Sequence, residues 1–297
     1  MNKYSLLSIS LLLSVIASAQ DYKKEYSELL VSKDSAKLIP HLQRWEKATP
    51  NDPEVYIAYF NYYFRKSKKT VPYLRAGDGK PGTFVLTDST GKTTGYMGDT
   101  TIYEPTSLNL AFQYIDKGIA GNPKRLDMHF GKIYVLGQTG DYKNFTSELI
   151  KTLHYGNKIE NKWLWAENKP VEDPKKMVLG AVQDYIVTLY ETNDDALLDN
   201  MRSIAETVLQ YYPDHVPSLS NIAITYTLQG NHDKALETLL KAEKIAPTDF
   251  IILNNIANIY RTQKDKPNAI RYYELVLKHG DEEAKEMATR QLKELRN

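Results

Sequence analysis

Apolar residues near the C-terminus recur at intervals of three and four positions, which is the spacing of one face of an α-helix. In residues 216–249 two such segments are separated by a turn at Gly230, and the second segment ends before Pro247. Glycine accommodates a tight turn and proline cannot continue a helix, so both residues stand where helices end. The pattern therefore predicts two consecutive helices joined by a short turn.

This two-helix pattern occurs twice in succession. Residues 250–283 align with residues 216–249 without a gap at a period of 34, and eight aligned pairs are identical. Because a single helical hairpin cannot bury its own apolar face, repeated hairpins stack on one another. The identical pairs are Leu219/Leu253, Asn221/Asn255, Ile222/Ile256, Ala223/Ala257, Tyr226/Tyr260, Gln229/Gln263, Ala235/Ala269 and Lys244/Lys278.

The repeated positions resemble the tetratricopeptide repeat family. The matching residues of the first repeat are Leu219, Ile222, Ala223, Tyr226, Gly230, Ala235, Leu239, Ala242 and Pro247. The second repeat departs from the family at Lys264, where glycine is usual, and at Asp281, where proline is usual. The resemblance implies an all-α fold, a right-handed α-solenoid of helical hairpins. The amphipathic and highly charged residues 281–297 are expected to form a C-terminal capping helix.

Weaker helical patterns extend towards the N-terminus. Acid–proline pairs at Asp52-Pro53, Glu104-Pro105 and Asp173-Pro174 are typical helix starts. The helices that follow are predicted to end near Phe64, Pro123 and Tyr190. The resulting division is 1–19 signal peptide, 20–65 N-terminal helices, 66–103 insertion, 104–155 divergent helices, 156–173 Trp-containing loop, 174–215 divergent hairpin, 216–249 and 250–283 repeats, and 281–297 capping helix.

The helical period disappears in residues 66–103. Residues rich in Thr, Val, Phe and Tyr flank the turn sequence Asp88-Ser89-Thr90-Gly91, which predicts a small β-hairpin. Long insertions in repeat proteins often lie on the working face, although a flap that covers exposed core is an equally good interpretation. Tyr73 and Tyr96 lie in this insertion and are not explained by the repeat pattern, so we include them in an alternative binding surface.

The loop at residues 156–173 contains Trp163 and Trp165. Two positions apart in an extended segment, the two indole rings would lie on the same side. They would then offer a flat apolar surface on which a glycan could stack. The alternative is that both rings pack onto neighbouring helices, which is the commoner arrangement in connectors of this kind.

Residues 1–19 have the features of an export signal. Lys3 precedes an apolar run from Leu6 to Ile16, and Ala17-Ser18-Ala19 supplies the small residues at which signal peptidases cut. The run is too short to span a bilayer, so cleavage before Gln20 is expected to leave a chain without a membrane span. A signal followed by Gln resembles secreted proteins of the Bacteroidota, which would place the chain, soluble, in the periplasm or outside the cell.

The composition excludes several kinds of chemistry. The chain has 38 Lys and Arg against 37 Asp and Glu, so no general field attracts nucleic acid. It has no Cys, which removes thiolate metal sites and cysteine nucleophiles. The motifs of zinc proteases, phosphate-binding loops and serine hydrolases do not occur. We therefore expect neither catalytic residues, nor a metal, nor a cofactor, and the chain is predicted not to be an enzyme.

The leading functional hypothesis is an exported scaffold that binds another protein or an extended peptide in the cell envelope. The family resemblance places the groove on the first helix of each repeat, where Asn side chains could donate to and accept from a peptide backbone. Alternatives are a glycan-associated module and a purely structural, self-assembling protein, and the oligomeric state stays open. The candidate groove residues are Asn221, Asn254, Asn255, Asn258 and Arg261, with Ser220, Ile224 and Thr227 beside them.

Overall fold

The computed structural model describes residues 21–32, 35–76 and 82–296, so the predicted signal peptide lies outside the described residues. The chain divides into two compact units. The first unit comprises Met1–Val135 and Trp163–Val171, and the second, called the repeat unit below, comprises Leu136–Lys162 and Glu172–Asn297.

Helices dominate the described residues. They are α1 (21–31), α2 (Ser35–Ala48), α3 (Pro53–Ser67), α4 (Pro105–Gly121), α5 (Leu126–Gln138), α6 (Tyr142–Lys158), α7 (Pro174–Tyr190), α8 (Leu198–Tyr211), α9 (Val216–Leu228), α10 (His232–Ile245), α11 (Phe250–Thr262), α12 (Lys266–His279) and α13 (Glu282–Arg296). The strands are β1 (Lys68–Arg75), β2 (Phe84–Thr87), β3 (Thr93–Tyr103), β4 (Leu164–Trp165) and β5 (Lys169–Pro170). The predicted all-α fold with a small β insertion is confirmed.

The predicted acid–proline helix starts are confirmed, since α3, α4 and α7 each begin at the proline. In each case the preceding carboxylate accepts backbone N–H groups of the first helical turn, which have no partner within the helix. Glu104 accepts from the amides of Thr106 and Ser107 at 2.7 and 2.8 Å. These hydrogen bonds lower the pKa of Glu104 to about 2. The other two capping acids are Asp52 and Asp173.

In the repeat unit each helix from α7 to α13 packs against the next one along the chain. Small residues form the centre of the two repeats, where Ala223, Ala235, Ala257 and Ala269 are almost fully buried. The capping helix α13 continues this core by burying Ala284, Ala288 and Leu292. The repeat unit is therefore a stack of helical hairpins closed by a final helix, as predicted.

The first unit has its own core, built from large aromatic side chains on α2 and α3. Trp45 and Tyr59 are each 1% exposed, and the Tyr59 ring stacks on Tyr114 of α4 with centroids 3.9 Å apart. Burial raises the pKa of Tyr59, so its hydroxyl stays protonated. Much of the tyrosine content of the chain thus serves packing in this unit.

The insertion between α3 and α4 is an antiparallel sheet in the order β1-β3-β2. The predicted hairpin around the turn at Asp88–Gly91 is present as β2 and β3, and Asp88 accepts from the amides of Thr90 and Lys92 at 2.8 and 3.0 Å. The third strand, β1, was not predicted. Its Lys-rich start and Pro72 weaken a strand pattern, but an edge strand tolerates proline because its outer N–H groups need no partner.

A buried charge that the sequence analysis did not single out organises the first unit. Arg125 is 1% exposed and its guanidinium lies 2.8 Å from Glu54 and 2.7 Å from Asp127. Glu54 also accepts the backbone N–H of Glu167 at 3.1 Å, which ties the Trp-containing loop to α3. Burial acts to raise the pKa of Glu54, but the amide of Glu167 and the charge of Arg125 outweigh it and lower the pKa.

Lys264 stands where the repeat family usually has glycine, and we expect this difference to lower the stability of the second repeat. Gly230 and Lys264 occupy equivalent positions and share a left-handed backbone, with φ of 74° and 62°. This conformation is unfavourable for a residue with a Cβ atom. We expect Lys264→Gly to raise the free energy of unfolding by about 1 kcal/mol, measured by urea denaturation.

The matched substitution is Gly230→Lys. Nothing lies within 4 Å of a Cβ added at Gly230, so only the backbone conformation opposes a side chain there. It should lower the free energy of unfolding by a similar amount. Equal stability of both variants and the parent chain would contradict the assigned cost.

Candidate functional site

A cleft opens between the two repeats on the first helix of each hairpin. Its volume is about 170 Å³, and we call it the repeat cleft. Its floor is apolar, while two asparagines and two threonines stand at its walls. The lining residues are Ala223, Ile224, Thr227, Leu228, Leu239, Asn255, Asn258, Ile259 and Thr262.

Asn258 is held in one orientation within the repeat cleft. The hydroxyl of Tyr273, on α12, donates to its side-chain oxygen at 2.6 Å. Burial raises the pKa of Tyr273, with Arg261 acting in the opposite direction, so the hydroxyl is protonated and able to donate. No hydrogen bond occupies the Asn258 side-chain nitrogen among the described residues, so its two hydrogens are available to a ligand.

The predicted groove residues do not all reach the repeat cleft. Asn255 and Asn258 line it, as do Ile224 and Thr227. Asn221, although equivalent to Asn255, donates to Gln183 of α7 at 2.8 Å and serves to hold two helices together. Asn221 and Asn255 occupy the same place in the two repeats, and the hydrogen bond from α7 in the preceding hairpin distinguishes Asn221 from Asn255.

Asn254 and Arg261 lie outside the residues that line the repeat cleft. The side-chain oxygen of Asn254 is buried without a hydrogen-bond partner among the described residues. Arg261 is exposed, and its positive charge acts to lower the pKa of the Tyr273 hydroxyl. The assignment of Asn254 and Arg261 to a ligand-binding surface therefore stays a prediction, since neither residue lines the repeat cleft.

A second, smaller cleft of about 140 Å³ adjoins the repeat cleft, and we call it the acidic cleft. Leu228 lines both clefts and is 48% exposed, so the two clefts meet at this side chain. Asp194 and Asp195 give the acidic cleft its charge. Its lining residues are Leu189, Tyr190, Asn193, Asp194, Asp195, Leu198, Met201 and Leu228.

Sequence reasoning missed Leu228, Thr262 and the acidic cleft. Leu228 and Thr262 occupy the same position in the two repeats, one place after Thr227 and Arg261. The helical period could have placed them on the groove. The acidic cleft has no such signal, because Asp194 and Asp195 lie in the irregular turn between α7 and α8.

The alternative surface separates into buried and exposed parts. Trp163 is 2% exposed and lies edge-on against His129, with ring centroids 5.5 Å apart. Of the two alternatives, packing onto a neighbouring helix is therefore the correct one for Trp163. Trp165 is 37% exposed and lies against Phe130, while Tyr73 and Tyr96 are half-buried on the β-sheet. The structure does not bring the Trp pair together with these tyrosines.

The described residues contain no group of three or more His, Asp or Glu side chains placed to hold a metal ion. None of the helices in the described ranges has the length and apolar character that crossing a membrane requires.

Comparison with protein families finds the repeats. Residues 216–249 match the tetratricopeptide repeat family, and residues 252–286 match a second tetratricopeptide-repeat description. The chain contains tetratricopeptide repeats. The repeat cleft is lined by residues of both repeats, so it lies where one repeat meets the next. A search of curated proteins finds no match.

Several solved structures match the chain at low sequence identity and low TM-score. YrrB, described as a tetratricopeptide protein with an unusual peptide-binding site, is 12% identical over 84% of this chain and 97% of its own, with a TM-score of 0.43. PilW, described as a type IV pilus biogenesis factor, is 10% identical over 91% and 97%, with a TM-score of 0.40. A thermophilic tetratricopeptide protein of Thermus thermophilus is 17% identical over 63% and 92%, with a TM-score of 0.37. Likeness at this level assigns no ligand or partner to this chain.

The hydrogen bond between Tyr273 and Asn258 can be tested by a double-mutant cycle. Tyr273→Phe should lower the free energy of unfolding by about 1 kcal/mol, because the Asn258 oxygen loses its donor. Combined with Asn258→Ala, the loss should be smaller than the sum of the two single losses. Urea denaturation of the four proteins measures this.

Tyr260→Phe is the control, since no hydrogen bond occupies the hydroxyl of Tyr260 within the described ranges. Its effect should stay within a few tenths of a kcal/mol. Strict additivity in the cycle would show that the hydroxyl does not hold Asn258.

Proposed function

We propose that the chain is a non-enzymatic scaffold that binds an extended peptide segment of another protein along the groove of its repeat unit. The observation that supports this most is the pairing of two clefts that meet at Leu228. Each cleft is sized for a side chain rather than for a whole small molecule. An extended peptide places successive side chains into such adjoining clefts and offers its backbone to polar groups between them.

The chemistry of the clefts indicates which peptide would fit. The repeat cleft has an apolar floor, so it suits an aliphatic side chain. Asn255 and Asn258 stand at its wall, where amides can donate to and accept from a peptide backbone. Asp194 and Asp195 favour a Lys or Arg side chain in the acidic cleft. The preferred ligand is therefore a peptide with an aliphatic and a basic residue a few positions apart.

Peptide titration tests this assignment. A panel of labelled extended peptides carries one aliphatic residue and one Lys at successive separations, and binding is followed by fluorescence anisotropy. Replacing the Lys with Gln should weaken binding to the parent chain but not to an Asp194→Asn/Asp195→Asn variant. Asn255→Ala/Asn258→Ala should weaken binding of every peptide by about tenfold, because backbone hydrogen bonds are lost.

The matched control is Thr248→Ala, an exposed polar position in the connection between α10 and α11 that lines neither cleft. It should bind the peptides as the parent chain does. A panel in which no peptide binds, or in which the asparagine variant binds unchanged, would rule out this groove as the ligand site.

We also infer that the scaffold acts in the cell envelope, where it would assist a protein complex. Support comes from the sequence of residues 1–19, with Lys3, the apolar run and the small residues Ala17 and Ala19. Expressed in a Gram-negative host, the chain should be recovered from the periplasm or the medium with Gln20 as its first residue. Mass spectrometry of the intact protein measures this.

Ala17→Arg/Ala19→Arg removes the small residues that signal peptidase requires and should leave the signal attached. An unsubstituted chain that keeps Met1 and stays in the cytoplasm would contradict export. That outcome would leave peptide binding by the groove unaffected, since the groove is built entirely from residues 189–262.

A further inference from the structure

The two edge strands of the β-sheet differ in how they are protected from pairing with a further strand. In the order β1-β3-β2, both β1 and β2 have an outer side on which no other described strand pairs. Charged residues and proline protect such edges. Strand β1 has both kinds of protection, in Lys68, Lys69, Arg75 and Pro72. Strand β2 has neither, because its sequence over residues 84–87 is Phe-Val-Leu-Thr.

The backbone groups of β2 point alternately towards β3 and towards the outer edge. The amide of Asp88 donates to the carbonyl of Lys92 at 2.9 Å, so Asp88 faces inwards. The carbonyl of Leu86 also faces β3, since it accepts from the hydroxyl of Thr94 at 3.2 Å. Alternate residues of a strand form hydrogen bonds on the same side, so Val85 directs its N–H and C=O outwards. Val85 can therefore exchange two hydrogen bonds with an added strand.

The side chains of β2 are apolar and largely exposed. Phe84 and Val85 are 70% and 56% exposed, and Leu86 is half-buried. Phe84 and Leu86 lie on one face of the strand and Val85 on the other, because side chains alternate. A strand that pairs at this edge would therefore gain apolar side-chain contacts on both faces, in addition to backbone hydrogen bonds.

The sequence of this edge is symmetric about Val85. On either side of Val85 stands an apolar residue followed by a threonine, which gives Thr-Phe-Val-Leu-Thr over residues 83–87. Two copies that pair antiparallel about a two-fold axis at Val85 would place Phe84 of each copy opposite Leu86 of the other. Val85 would lie opposite its own copy. A two-fold interface requires a surface that is complementary to itself in this way.

The charges nearest to β2 do not oppose this pairing. In the same register Asp88 of one copy lies opposite Gly82 of the other, so no like charges meet. Asp88 also accepts from the amides of Thr90 and Lys92 in its own turn. A strand from an unrelated protein would need no symmetry in the edge that it joins. The symmetry about Val85 therefore favours a second copy of this chain as the occupant.

We propose that two copies of the chain pair through the outer edges of β2, antiparallel and centred on Val85, so that two three-stranded sheets join into one of six strands. One strand pair is a small interface beside the roughly 1,200–2,000 Å² of stable complexes, so we expect a reversible dimer with a micromolar-to-millimolar dissociation constant. This association is independent of peptide binding, because the two clefts are lined by residues 189–262.

Sedimentation velocity over a concentration series tests the proposal. The full chain and the chain that begins at Gln20 are both measured, so that the apolar run of residues 6–16 cannot account for association. Both should change reversibly from monomer to dimer between about 10 µM and 1 mM. Val85→Pro removes the outward N–H and leaves the inward hydrogen bonds to β3 in place. It should weaken the dimer at least about tenfold.

The two-fold register allows a charge-swap experiment. Because Val85 lies opposite its own copy, Val85→Lys places two positive charges directly opposite each other, and Val85→Glu places two negative ones. Each variant alone should dimerise at least about tenfold more weakly than the parent chain. An equimolar mixture of the two should dimerise about as well as the parent, because Lys then lies opposite Glu. Pairing in another register would not give this recovery.

Leu74→Lys is the matched control. It adds the same charge at an apolar position that is 74% exposed, on the protected edge strand β1, and should dimerise as the parent chain does. Circular dichroism checks that each variant is folded. The proposal is overturned if the parent chain stays monomeric throughout the series, if Val85→Pro dimerises as tightly as the parent, or if the Lys and Glu variants associate no better when mixed than alone.

Discussion

Close approach of helices through small side chains is the constraint on which the repeat unit depends. Ala223 and Ala235 on the two helices of one hairpin, and Ala257 and Ala269 on those of the next, are almost fully buried in one core. A larger side chain at any of these positions would separate the helices and shift the next hairpin in the stack. The cleft between α9 and α11 has its dimensions only because this spacing holds. Helix packing therefore determines the shape of the repeat cleft, and the polar side chains only add hydrogen-bonding groups to it.

The 34-residue period predicted the fold of the repeat unit well, because the same helix packing recurs in each repeat. It predicted only some of the residues that line the repeat cleft. Asn221 and Asn255 occupy equivalent positions of the two repeats, yet only Asn221 donates a hydrogen bond to Gln183, which lies on α7 in the preceding hairpin. Such differences arise from the neighbouring hairpin, which in this case is the divergent one formed by α7 and α8. A repeat pattern describes what neighbours share and contains no information on what distinguishes them.

The burial of Arg125 and the presence of strand β1 could not be predicted from the sequence, for a different reason. Arg125 can be buried because Glu54, a carboxylate distant in the chain, pairs with it together with the neighbouring Asp127. Nothing near Arg125 in the sequence distinguishes it from an exposed arginine. Strand β1 was missed because its Lys-rich, Pro-containing sequence is acceptable only at the edge of a sheet, and edge position is a property of the assembled sheet. Both features depend on tertiary structure that local patterns do not encode.

The near-zero net charge of the chain does not describe the electrostatic field at each part of its surface. It excludes a general attraction for polyanions, but charges act over about a Debye length, roughly 8 Å at physiological ionic strength. On that scale the chain is not neutral: residues 68–103 contain five Lys and Arg against three Asp, while the acidic cleft presents Asp194 and Asp195. Balanced totals therefore conceal a basic sheet and an acidic groove. A ligand encounters one of these local fields rather than their sum, so the net charge of the chain does not decide which charges each surface attracts.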